Sequence, residues 1–185
     1  MGVRIDNLCG YFYHRVMKKY LSWFIFGSWL IFIVVLVLVL PGVAQANEAN
    51  GLAESIDTNF SFSVTEIVRI LTSYGKDGRA YYIFQRWTFD LYYPLVYGIP
   101  ISLSLNGLLR GSPFQRVAWL GMIAATFDYF ENIIFTIAAA SFPTLTTFWV
   151  SIGVVLSVAK WTALGGGFLL ILMLLIRRLF LKKRR

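Results

Sequence analysis

Residues 21–40, LSWFIFGSWLIFIVVLVLVL, contain no charged side chain. At 1.5 Å of rise per residue such a run forms a helix about 30 Å long, the thickness of a bilayer's hydrocarbon core. Three further apolar segments follow, at 87–109, 117–140 and 148–176. Of the 185 residues, 58% are hydrophobic and 14% charged, against about 25% charged in an ordinary soluble domain. Too little polar surface is left to cover a water-soluble globule. The expected fold is all-α, an integral membrane helical bundle of four transmembrane helices with a short outer amphipathic helix.

The first segment supports two readings. A basic start, an apolar run and then Ala44-Gln45-Ala46 make the small-residue pattern of a signal-peptidase site, and cleavage there leaves three spans. The run exceeds the usual signal-peptide core, which favours a retained signal-anchor. The chain therefore divides into a basic N-terminus with signal-anchor or signal peptide (1–46), an outer segment (47–86), a three-helix membrane core (87–176) and a basic tail (177–185).

Charge placement sets an orientation. Seventeen basic residues stand against nine acidic ones, and the bases crowd at both ends: Arg4, Arg15, Lys18 and Lys19, then Arg177, Arg178, Lys182, Lys183, Arg184 and Arg185. The 110–116 loop carries Arg110 and Arg116 and no acid, whereas 141–147 carries no charge. The positive-inside rule puts both termini and the 110–116 loop on the cytoplasmic side of a cytoplasmic-type membrane, with 141–147 outside. Charge of this kind reads as topology, so no nucleic-acid partner is expected. Cys9 and His14 are single of their kind, so neither a zinc site nor a disulfide is available within the chain, and no metal or cofactor is expected.

In the outer segment, 47–59 (NEANGLAESIDTN) is polar and reads as flexible. Val64, Ile67, Val68 and Leu71 then recur at helical spacing, and Ser63 with Glu66 forms a capping box. This predicts an amphipathic helix over 63–73 on the outer membrane surface, a turn at 74–78, and an interfacial belt from Arg79 to Trp87.

The informative residues are ionisable ones inside spans, because a charge at the bilayer centre costs at least about 2.5–3.5 kcal/mol. They are Asp90, Asp128, Glu131 and Lys160. On the third span, Asp128, Glu131 and Asn132 share a helical face that continues through Gly121, Ala124 and Ala125, small residues that admit a close neighbour. Lys160 lies at matching depth on the fourth span and is expected to pair with either Asp128 or Glu131, leaving one carboxylate over. Asp90 and Arg86 are spaced as an i, i+4 pair. Pro94 and Pro100 free carbonyls in the second span that Tyr92, Tyr93 and Tyr97 are placed to satisfy. Gly165, Gly166 and Gly167 read as a packing face.

The strings YGKDGRAYY, FDLYYPLVYG and DYFEN, within 74–176, resemble elements recurring in small multi-span membrane proteins of bacteria and archaea. The resemblance implies a four-helix membrane architecture and no activity.

Three function classes remain open. An accessory or structural membrane subunit would use Asp128, Glu131, Asn132, Lys160, Asp90 and Arg86 as a buried polar network that fixes helix register. A proton- or ion-coupled transport component would use Asp128 or Glu131 as the protonatable site. An enzyme or binder for envelope lipid would contact a headgroup through Arg79, Arg86 and Tyr82, although the GxSxG and HExxH signatures of membrane hydrolases are missing. Membrane lipids, and a second copy or another membrane protein, are the expected partners.

Overall fold

The computed structural model describes residues 5–60, 62–144 and 146–183, with side chains described within 20–181. The expectations placed on Cys9, His14 and the terminal basic side chains at 4–19 and 182–185 lie outside the described residues. All regular structure among the described residues is helical: α1 (Ile5–Val34), a π-helical turn (Val35–Val39), α2 (Leu40–Ala49), α3 (Val64–Ser73), α4 (Gly75–Arg86), α5 (Phe89–Leu108), a 3-10 turn (Gln115–Trp119), α6 (Leu120–Ala140) and α7 (Thr146–Lys183).

Three stretches are long and apolar enough to cross a membrane: Tyr20–Ala49, Gln115–Ala140 and Thr146–Leu181. The segment expected as the second span is also a helix, α5, but Asp90, Asn106 and two prolines leave it too polar to stand with them by composition.

The first helix is continuous through α1 and α2 with one interruption. Pro41 offers no N–H to the carbonyl a turn earlier, and the chain absorbs the loss as a π-helical turn, the Leu40 N–H reaching back to Val35 O. Ala44, Gln45 and Ala46 lie inside helical α2. No residue of α2 is buried, and contact with the bundle runs along one stripe, where Trp29 Nε1 donates to Ser104 Oγ on α5 at 2.8 Å.

Helices α5, α6 and α7 form the bundle. Glycines set the α5–α6 distance: a Cβ on Gly121 would lie 2.3 Å from the Gly98 carbonyl oxygen, so only paired glycines permit this approach. Nearby, Ser102 Oγ accepts from the Met122 N–H at 3.1 Å, satisfying one of the unpaired donors at the start of α6. Between α6 and α7, Gly153 makes room for Phe135, whose ring would sit 2.2 Å from a Cβ there. The expected packing face at 165–167 forms only in part. Gly167 faces Ile101, but Gly165 and Gly166 are exposed and meet nothing within 4 Å.

Two apolar clusters stack along the bundle. The one at the end carrying residues 50–86, here the upper end, gathers Leu52, Ile56, Ile67, Ile70, Leu71, Phe135 and Val150. The lower one gathers Tyr97, Ile101, Leu105, Ala124, Ala125 and Ala163. Chain order puts α6 residues 128–132 and α7 residues 157–160 between them. At the lower end Arg178 donates to the Gly107 and Leu108 carbonyls, which brings the end of α7 beside the loop after α5.

The outer segment departs from expectation in three ways. Helix α3 starts where its capping box puts it, with Ser63 Oγ accepting from the Glu66 N–H at 3.4 Å. Its apolar face is turned to the bundle and not outward: Ile67, Ile70 and Leu71 are buried in the upper cluster with Phe135 and Val150, which removes them from water. The expected turn at 74–78 is a break at Gly75, with φ +64°, from which a second helix, α4, runs to Arg86. The stretch 47–59, expected to be free of the bundle, makes contact with it: Asn47 to Ala49 extend α2, and Leu52 and Ile56 join the upper cluster at 6% and 4% exposure.

Candidate functional site

Between the two apolar clusters lies a layer of charge. Lys160 Nζ, on a residue 4% exposed, is 3.2 Å from Asp128 Oδ1 and 2.6 Å from Glu131 Oε2. The sequence suggested one partner with a carboxylate left over. The ammonium instead takes both, because positions i and i+3 on α6 flank the same point on α7. Ser157, one turn before Lys160, donates to Glu131 Oε1 at 2.9 Å, and Tyr97 of α5 donates to Asp128 Oδ2 at 2.8 Å.

A second node centres on Arg86, 2% exposed at the end of α4. Its Nη1 donates to Asn132 Oδ1 at 2.5 Å and lies 3.2 Å from Asp90 Oδ2, while its Nη2 donates to Asp57 Oδ1 and to the Tyr82 hydroxyl, both at 2.6 Å. Asn132 also donates from Nδ2 to the Asp90 backbone carbonyl at 3.4 Å. That carbonyl is the one Pro94 deprives of its helical donor, so the amide of α6 repairs the break in α5. The tyrosines expected in this role are elsewhere: Tyr97 serves Asp128, Tyr92 is exposed, and Tyr93 stacks on Phe89.

Asp57 was missed. It stands in a polar stretch with no helical period, and the only signal is the isolated apolar residue before it, Ile56, which anchors the loop and presents Asp57 to Arg86. Burial works to raise the Asp57 pKa, but the adjacent Arg86 charge, with help from Lys160 and the Arg86 hydrogen bond, brings it below the ordinary carboxylate value. Trp161 was also missed; its ring lies 5.6 Å from Lys160 Nζ.

The three residues proposed for headgroup contact are placed differently from one another. Tyr82 is 1% exposed and spent on Arg86. Arg79 stacks over Phe142 at 4.1 Å and donates to the Leu71 carbonyl. Arg86 alone of the three lines the open space beside the first helix.

That space is a cavity of about 620 Å³ between the first helix and the bundle. Asp57, Arg86, Asp90, Asp128 and Lys160 line it, whereas Glu131 and Asn132 do not. Asn47, Glu48, Ser55, Thr58 and Gln85 add polar lining, and apolar or aromatic walls come from Phe32, Leu40 and Val43 of the first helix, Phe89, Tyr93 and Tyr97 of α5, and Trp161, Leu164 and Phe168 of α7. The cavity is polar at one end. Along α7 the lining runs Lys160, Leu164, Phe168, and along the first helix it runs Glu48 down to Phe32, sixteen residues or about 24 Å of helix. Charge therefore gathers above and hydrocarbon below. Among the described residues no group of His, Cys, Asp or Glu side chains is arranged to hold a metal ion.

In comparison with known proteins, no family model, curated protein or solved structure matches the chain.

Proposed function

We propose that the chain is a four-span membrane protein whose cavity binds an amphiphilic molecule, with its head at the charged layer and its tail along the apolar walls. The observation that carries this reading is the cavity itself. Its volume falls in the range of about 300–1,000 Å³ usual for ligand sites, and its polarity runs from one end to the other.

The fourth span is α5. Its length of 20 residues corresponds to about 30 Å, and its polar residues do not have to face lipid: Asp90, Pro94, Tyr97 and Ser104 are buried, while Leu91 and Ile99 are turned outward. The uncharged 141–147 connector and the Arg110–Arg116 loop lie at opposite ends, which supports an outer upper end and cytoplasmic termini in a cytoplasmic-type membrane. The first helix, retained as an anchor, supplies one wall of the cavity.

A purely structural network leaves a cavity of this size unexplained. Ion transport needs a polar route downward, and the lower cluster of Ile101, Leu105, Ala124 and Ala125 stands across it.

Native mass spectrometry of protein extracted in mild detergent tests the reading. An amphiphile retained at one per chain is expected, and Leu164→Trp, which fills the cavity, is expected to release it. No retained molecule, or identical retention in Leu164→Trp, would refute the proposal.

A further inference from the structure

We infer that the headgroup this cavity takes is a protonated amine, held between Asp57, Asp90 and Asp128, and not a phosphate; this rests on the amphiphile-binding reading above.

The formal charges facing the cavity are unequal. Glu48, Asp57, Asp90 and Asp128 are acidic, and Arg86 and Lys160 are basic. Both cations already face carboxylates, and of the Arg86 nitrogens only Nε, buried, has no hydrogen-bond partner. Arg86 has carboxylates on two sides, Asp57 and Asp90, and its other bonds go to Asn132 and Tyr82. Lys160 sits between Asp128 and Glu131. A phosphate would have to displace a carboxylate from one of them and would then face the remaining acids, so like-charge repulsion accompanies its desolvation.

The carboxylates, in contrast, have capacity left. Asp57 meets Arg86 through Oδ1 alone and Asp90 through Oδ2 alone, although an ionised carboxylate accepts at about four lone-pair positions. Asp90 is 8% exposed and lines the cavity, so a donor arriving there gains a charge-assisted hydrogen bond in a poorly solvated place. The aromatic lining points the same way. Phe89, Tyr93 and Trp161 border the charged layer, and ring faces attract an ammonium and repel a phosphate. A metal cation fits less well than an ammonium, because Arg86 stands between Asp57 and Asp90 and no metal-holding group forms among the described residues.

The experiment uses the full chain in dodecyl maltoside, which carries neither amine nor phosphate. Three photoactivatable probes of one chain length, bearing a diazirine in the tail, differ only in the head: amine, alcohol or phosphate. The amine probe is expected to label the peptides containing Leu164 and Phe168 saturably, about tenfold above the phosphate probe, the factor that one charge-assisted hydrogen bond supplies. Asp90→Asn is expected to remove that preference, and the head-to-head comparison on the unaltered chain stands even where this variant fails to fold. Competition by phosphatidylethanolamine assigns the amine to a phospholipid; competition by a simple long-chain amine alone assigns it to an amine without phosphate. Equal or stronger labelling by the phosphate or alcohol probe overturns the amine inference and leaves the amphiphile reading standing. No probe labelling Leu164 or Phe168 above the lipid-facing Val155 overturns both.

Discussion

Replacing Lys160 with methionine removes the one cation that stands between Asp128 and Glu131. At separations of 3.2 Å and 2.6 Å, and an effective dielectric constant of about 20, each contact has a gross Coulomb energy of about 5–6 kcal/mol. Much of that is offset by the desolvation of an ammonium on a residue 4% exposed, several kcal/mol in practice. Deleting one partner of such a buried group costs about 3–5 kcal/mol, because the carboxylates are left without compensation. Here two are left, one turn apart on α6, so the loss is expected at the upper end of that range. Methionine has nearly the same reach as lysine, which separates the lost charge from lost packing. Unfolding in mixed micelles titrated with dodecyl sulfate, followed by circular dichroism, reads the change. Adding Glu131→Gln to Lys160→Met is expected to recover part of the loss, a coupling of more than about 1 kcal/mol. A Lys160→Met variant within about 0.5 kcal/mol of the original protein, with no coupling to Glu131→Gln, would refute the charged-layer argument.

Other variants test other parts of the fold. Gly121→Ala drives a methyl onto the Gly98 carbonyl and is expected to cost about 1–3 kcal/mol or more, whereas Gly165→Ala enters open space and is expected to be neutral or stabilising in the same unfolding assay. Tyr74→Phe removes the 2.5 Å hydrogen bond to the Glu54 carbonyl and is expected to cost about 1 kcal/mol, read as a lower thermal midpoint. Asp57 has a lowered folded pKa, so its contribution is present above its unfolded value of about 4 and lost as pH falls through the folded one. Stability measured downward from pH 5 is therefore expected to drop, less so in Asp57→Asn; equal slopes would sink this account. Burial raises the Tyr74 pKa, so its contribution is present below about 10 and lost above, and Tyr74→Phe is expected to flatten the alkaline limb.

What the sequence shows of this fold follows from periodicity and cost. The apolar runs locate α1, α6 and α7, and the capping box at Ser63 locates α3, because each rests on local spacing. The stripe from Gly121 to Asn132 is legible for the same reason, since charges on a membrane helix have few places to go. The partners of those charges are less legible. Lys160 takes two carboxylates because of the relative rotation of α6 and α7, which neither helix encodes alone. Asp57 reaches Arg86 through a loop whose course is fixed by Leu52 and Ile56 fitting holes in the upper cluster. The cavity is harder still, being the space left where the first helix stands away from α7, and no single residue marks it.

The charged layer also bears on how the chain enters a bilayer during synthesis. Helix α6 by itself would take two carboxylates into hydrocarbon, and α7 by itself would take an ammonium, each charge costing at least about 2.5–3.5 kcal/mol. Joined by the short connector between them, the two helices set Lys160 against both carboxylates, which cancels one of the two negative charges. The energetically accessible unit of insertion is therefore the α6–α7 hairpin, with Lys160 already seated, rather than either helix in turn. Lengthening that connector would separate the charges at the one moment when neither has water or its partner.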